Sequence, residues 1–317
     1  MALAPTLGWL FVGRIISGVC GASWTTAAAY IADVSKPEER AAAFGRIGAA
    51  WGLGFVLGPA LGGVLGGIDP RLPFWVAAGL TLTNAAYGLF ILPESLPRER
   101  RGALDLRRAS PIGSLGLLRA HRGLFGLARV MFLFWLAHSA LQNVFVLYTG
   151  YRYGWSARTV GLTLAFSGVC SVIVQAGLVR PIVARFGERR ALITGLLCGA
   201  LGFVVYGLAP SPAWFWSGIP VFALMGLHGP SMQSLMTQRV PPSEQGRLQG
   251  MNGSIMGITG MVGPPLFTGV FARFIGESAN LHLPGAAFLL ASGLLVVAVV
   301  LAERTTRVAA RGPAGAS

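Results

Sequence analysis

From Gly45 to Gly67 the chain reads GRIGAAWGLGFVLGPALGGVLGG, and few structures can accommodate such a run. It exceeds the roughly twenty apolar residues that carry an α-helix across a bilayer. Gly54, Gly58, Gly62 and Gly66 recur at every fourth position, so one face of that helix carries no side chains. In water each glycine would weaken a helix by about 1 kcal/mol relative to alanine. In lipid the same ladder is useful, because helices associate there by close packing and not by hydrophobicity. Pro59 interrupts the run, which a membrane helix tolerates when neighbouring protein satisfies the freed carbonyl. The pattern predicts a membrane helix packed by its glycine face directly on a second helix.

Composition extends that reading to the whole chain. Of 317 residues, 54% are hydrophobic and only 11% are charged, against about 25% charged in an ordinary soluble domain. The formal net charge of +14 would suggest nucleic acid as a partner in a soluble protein. Here its placement argues against nucleic acid and for a lipid bilayer. Nine segments have the length and apolarity of spans: Trp9–Val34, Arg46–Gly67, Pro73–Leu92, Leu124–Thr149, Thr159–Pro181, Ala191–Ala209, Trp214–Gln238, Leu248–Ile275 and Pro284–Ala302. The segments between them alternate in charge. Twenty cations, among them Lys36, Arg100, Arg108, Arg185, Arg190 and Arg307, fall on one side, against Arg71, Arg152, Arg158 and Arg273 on the other. The positive-inside rule then predicts a multi-pass protein of the inner (plasma) membrane, with its N-terminus outside and its C-terminus cytoplasmic. No signal peptide is expected ahead of the first span, since Met1 runs directly into apolar sequence.

The chain also repeats itself. Displaced by 205 residues, Pro37, Glu39, Gly45, Gly48, Gly52, Gly58, Pro59 and Leu61 fall on Pro242, Glu244, Gly250, Gly253, Gly257, Gly263, Pro264 and Leu266. The related segments are the second and the eighth, six apart, and parallel six-helix repeats are a transporter architecture. The expected organisation is a partial first half over 1–92, a basic cytoplasmic linker over 93–122, a complete six-helix half over 123–302 and a cytoplasmic tail over 303–317. By the same repeat, the glycine ladder is expected to meet a helix built around Gly257 and Gly263.

Several strings, in order, carry a family resemblance. They are GRIISGVCGASWTTAAAYIADVSKPEERAAAFG, the ladder GxGxxxGPxxGG formed by Gly52, Gly54, Gly58, Pro59, Gly62 and Gly63, LPES at Leu92, GERRAL at Gly187 and QGRLQG at Gln245. Together they resemble the tetracycline-efflux family of drug/proton antiporters in the major facilitator superfamily. The resemblance implies an all-α membrane fold whose nine helices correspond to helices 4–12 of twelve, so that the first three are expected to be missing. It implies proton-coupled export of an amphiphilic drug, such as tetracycline or a related compound, by alternating access. A transport-inactive fragment, or an exporter of a different small molecule, is the alternative.

The resemblance also assigns roles to residues. Arg14 lies five residues inside the first span, about 8 Å deep, where an ionisable group is costly and marks function; the resemblance links it to proton transfer. Asp33, at the end of the same span, matches a gating carboxylate. Scarce polar groups on apolar helices should line the substrate cavity: His138, Gln142, Asn143, Gln175, His228 and Gln233. His138 and Gln142, four residues apart, share a helix face and form the best candidate pair. Two positions depart from the tetracycline exporters, which have histidine where Ser171 stands and aspartate where Gly199 stands. Cys20, Cys170 and Cys198 have neither metal-ligand nor disulfide spacing and are expected to be free. His121, His138, His228 and His282 lack the spacing of a catalytic or metal site, so neither an enzyme nor a cofactor is expected.

Overall fold

The computed structural model describes residues 1–20, 40–94, 122–241, 244–276 and 282–310, together with Ala27, Tyr30, Ile31, Val34 and Leu118. Each of the nine expected spans carries a helix within these residues. In chain order they are α1 (Leu7–Val19), α2 (Arg40–Ile68), α3 (Leu72–Phe90), α4 (Arg122–Tyr153), α5 (Ala157–Ile173), α6 (Val179–Leu208), α7 (Pro212–Ala223), α8 (His228–Thr237), α9 (Gln245–Ile275) and α10 (Ala286–Ala310). A π-helical turn, Val174–Leu178, joins α5 to α6, and a 3-10 turn, Leu224–Leu227, joins α7 to α8. By length and composition alone, four helical stretches among the described residues could cross a membrane: Gly123–Tyr153, Ala157–Leu208, Arg247–Ile275 and Ala286–Arg307. The second of these is 52 residues long, enough for two crossings.

Local sequence sets most helix boundaries. Asp69 stops α2, and its carboxylate accepts the Arg71 N–H at 2.6 Å, so the chain turns within three residues into Pro73 of α3. Gly154 closes α4 in the left-handed region at φ 64°, with the Trp155 N–H reaching back to the Thr149 carbonyl at 3.3 Å. Gly187 breaks α6 at φ 78° and ψ 161°, a conformation essentially restricted to glycine. Ser211 is extended and Pro212 occupies the first turn of α7, where a missing N–H costs nothing.

The chain forms two compact units. One comprises Met1–Leu104 with Ser156–Gly168, and the other Asp105–Trp155 with Val169–Ser317. In the first unit α2 and α3 pair, and many large apolar side chains stay exposed, among them Trp9, Leu80, Leu82 and Phe90. Such an exterior suits lipid contact. Thr81 and Thr83 turn their hydroxyls back onto the Ala77 and Gly79 carbonyls, at 2.8 and 2.9 Å, so neither hydroxyl is left unsatisfied towards lipid.

In the second unit α10 packs on α4 and α6, and α9 packs on α4. At one end Tyr148, Tyr206, Phe203, Phe215 and Phe288 form a fully buried aromatic core. The Tyr148 hydroxyl donates to the Tyr206 carbonyl at 2.9 Å, which satisfies the polar end of a ring otherwise in apolar surroundings. The opposite end is polar. There the Glu188 carboxylate accepts from the Ser234 hydroxyl and from Gln238 Nε2, and Arg239 donates to the Gly123 carbonyl at 2.6 Å. Burial pushes the Arg239 guanidinium below its ordinary pKa.

Candidate functional site

The glycine motif makes its close contact one residue round from the expected face. A Cβ on Gly54, Gly58 or Gly62 would meet no atom of a described residue within 4 Å. A Cβ on Gly63 would lie 2.6 Å from the Gly161 Cα and 2.9 Å from the Ala157 carbonyl oxygen. The contact is reciprocal, since a Cβ on Gly161 would lie 2.6 Å from the Gly63 Cα and 2.7 Å from the Pro59 carbonyl oxygen. The partner found within the first unit is α5 around Gly161. Gly63 is buried and Pro59 half-buried, as the contact requires, while the surroundings of Gly52 lie outside the described side chains. In the repeat-related helix α9, Gly263 closes against Ser139 of α4. Pro264 accepts the Thr268 hydroxyl at its carbonyl, 2.7 Å away, and Gly257 has no described neighbour within 4 Å of a Cβ.

The polar residues of the second unit are brought together selectively. Phe134, one turn before His138 on α4, lies nearly parallel to it with centroids 5.9 Å apart. On its other contact Phe134 stacks on His228 at 3.5 Å and 13°. Trp135 meets His138 edge-on at 5.8 Å. His228 is 3% exposed and Ser231, one turn on, is 1% exposed. Gly195 of α6 makes room for them, because a Cβ there would lie 2.9 Å from the His228 backbone nitrogen. His138 Nδ1, both ring nitrogens of His228, the Ser231 hydroxyl and Asn252 Oδ1 are buried without a hydrogen-bond partner among the described residues. Buried polar atoms are normally paired, and unpaired ones ask for an explanation.

The other expected cavity residues behave differently. Gln142 is exposed and has no described hydrogen bond to His138, whose ring lies against Phe134. Asn143 donates to the Ser139 carbonyl of its own helix at 2.7 Å. Gln233 accepts from Asn252 Nδ2 at 3.2 Å, tying α8 to α9. Gln175 is exposed within the π turn, and its Cγ lies 3.6 Å from where a Gly226 Cβ would stand. In the first unit Arg14 is exposed on α1, and Asp33 lies outside the described residues. Cys20 is exposed, Cys170 and Cys198 are half-buried, and all three are free. Gly161, Gly195 and Ser231 were not singled out by the sequence. Ser231 could have been, from its position three residues after His228; a lone glycine gives no comparable signal.

Known proteins place this arrangement in a family. The Major Facilitator Superfamily profile matches residues 1–264 and 180–316. The chain belongs to the major facilitator superfamily. Among curated relatives of this superfamily chain, the class C tetracycline resistance protein of Escherichia coli is 35% identical, over 86% of this chain and 68% of its own length. The class G protein of Vibrio anguillarum is 36% identical, over 87% of this chain and 70% of its own length. The structure of the human organic anion transporter MFSD10 matches with a TM-score of 0.69 at 24% identity, covering 95% of this chain and 72% of that one. A bacterial homologue of the lysosomal transporter Spinster, inward-facing and unoccupied, matches at 0.67 and 19% identity, over 100% of this chain and 81% of that one. These two likenesses concern the fold. The chain is thus an all-helical, multi-pass membrane transporter of this superfamily and not an enzyme.

Proposed function

We propose that the chain exports an amphiphilic drug in exchange for protons, across the plasma membrane and with its C-terminus in the cytoplasm. The observation that carries the reading is the 35% identity to a tetracycline resistance protein over 86% of the chain. Arg14 serves proton coupling, and Asp33 the inner gate. Gln142 and Gln175, exposed polar groups on the second unit's helices, provide the few directional contacts that an otherwise apolar binding region needs. Gly199 argues for a substrate other than tetracycline itself. A Cβ there would lie 2.6 Å from Met225 Sδ and 3.0 Å from a Leu295 methyl, so the aspartate of the tetracycline exporters has no room.

The test is accumulation of a fluorescent amphiphile, with and without a protonophore. It is read in cells carrying the chain, and in cells carrying it fused behind the first three helices of the class C relative. Export is expected to be protonophore-sensitive and to fall at least tenfold with Arg14→Ala. Unchanged accumulation in both kinds of cell would overturn the reading. For the orientation, single cysteines at Ser95 and Ser211 in a cysteine-free background are expected to label from opposite sides of the membrane. Labelling of both from one side would overturn it.

A further inference from the structure

We propose that His138 and His228, both stacked on Phe134, form a proton-binding pair that holds one proton between them and couples the second unit to the proton gradient; this rests on the proton-coupled reading above. The described carboxylates after Gly123 are Glu188, just after the break at Gly187, Glu244, just before α9, and Glu303, in the last turns of α10. Among the described residues the apolar middle of the second unit therefore offers imidazoles, and no carboxylate, for proton binding.

The geometry suits a proton better than a drug. At 3% exposure His228 cannot touch a drug-sized solute, whereas a proton needs only a lone pair. A neutral imidazole keeps one ring nitrogen as acceptor, and neither nitrogen of His228 has a described partner. A proton arriving from water would bind that lone pair and later leave to water again, with no other bond made or broken. The resulting cation would face the Phe134 ring, whose π face attracts positive charge in a buried site. Two imidazoles sharing one aromatic ring cannot both be charged without strong repulsion, so one proton serves the pair.

His138 on α4 shares the Phe134 ring with His228. Other charges stand towards the polar end, where the Glu188 carboxylate accepts from Ser234 of α8. On the packed elements Arg129, Arg190 and Arg247 lie five residues along the chain from Phe134, Gly195 and Asn252, towards the polar end, and Cys198 lies three residues beyond Gly195. On α10 the charges Glu303, Arg304 and Arg307 stand in the last turns. α8 itself carries no charge apart from His228. His228 also opens α8 directly after the 3-10 turn, which packs through Gly226 on the π turn at Val174 and Gln175. Irregular turns of this kind are where a helix can change its winding, so a charge at His228 sits where it can move the helix.

The experiment uses the 317-residue chain with His121→Gln and His282→Gln, so that only the pair carries ¹³C-histidine label. The chain is held in nanodiscs of phosphatidylethanolamine and phosphatidylglycerol, without drug, and the ring carbon signals are followed against pH. Two separated steps are expected, at least tenfold apart in proton concentration, with both rings responding to the first. In a third variant, His138→Gln should merge these into one step at His228. Independent titration of the two rings, or none over the range in which the helices persist, would overturn the proposal. If His138→Gln does not fold, the two-step shape in the intact pair decides. The outcome is independent of export: a shared titration without drug efflux would sink the export reading and leave the pair, and the reverse would sink the pair alone.

Discussion

Gly161→Leu is expected to abolish stable accumulation of the chain as a folded membrane protein, and Gly63→Leu to do the same. The two α-carbons face each other so closely that a Cβ on either would lie 2.6 Å from the other, with the Pro59 carbonyl oxygen 2.7 Å from the Gly161 position. The obstacle is backbone on both sides, which cannot swing away as a side chain tip would. Ordinary overpacking costs about 1–3 kcal/mol, and separating two helices at their point of closest approach should cost more. Membrane helices have little else to hold them together, since lipid competes equally well for apolar side chains. The measurement is the fraction of protein eluting as a single species from detergent, across the series Gly161→Ala, Gly161→Val and Gly161→Leu. A graded loss is expected. Wild-type recovery of Gly161→Leu would show that this contact does not hold α2 and α5 together.

Gly285→Val is expected to be as damaging within the second unit. Gly285 precedes α10, and its carbonyl accepts the Phe288 and Leu289 N–H groups at 3.0 and 3.1 Å. A Cβ there would run into the Gly207 carbonyl at the end of α6, and a Cβ on Gly207 would lie 3.0 Å from the Gly285 oxygen. This is the same device as Gly63 with Gly161, here fixing the start of α10 on α6. One side of the contact extends to Ser292, which donates to the Ala200 carbonyl at 2.9 Å. Thermal unfolding followed by fluorescence should show Gly285→Val melting at least 5–10 °C lower, roughly the effect of a few kcal/mol in a unit of this size. Gly293→Ala, on an exposed face with no described neighbour within 4 Å of its Cβ, should leave the midpoint unchanged. Equal shifts in both variants would mean that glycine content, and not the close approach, sets the stability.

The helices were legible because lipid imposes a single rule. Every span must be long, apolar and hydrogen-bonded within itself, and such segments show in the sequence without reference to their partners. Pro212, Asp69 and Gly154 likewise mark boundaries by local chemistry. The glycine motif was legible as a packing motif for the same reason. Its partner was not, because a ladder of absent side chains specifies a smooth face but not which neighbour fills it. The ladder pointed to Gly54, Gly58 and Gly62, and the contact uses Gly63, a rotation of about 100° on the helix.

The candidate site divides in the same way. The sequence by itself determined that polar groups would be scarce and conspicuous in the apolar helices, and it named His138 and His228 among them. The kinship to tetracycline resistance proteins was also written in the order of its motifs. Only the tertiary structure decided that His138 lies against Phe134 and not against Gln142, and that Phe134 carries His228 as well. Those rings sit 90 residues apart in the chain, and helical periodicity says nothing about such distances. What joins them is the packing of α8 beside both α4 and α6, and Gly195 of α6 permits the second by having no side chain where the His228 backbone passes.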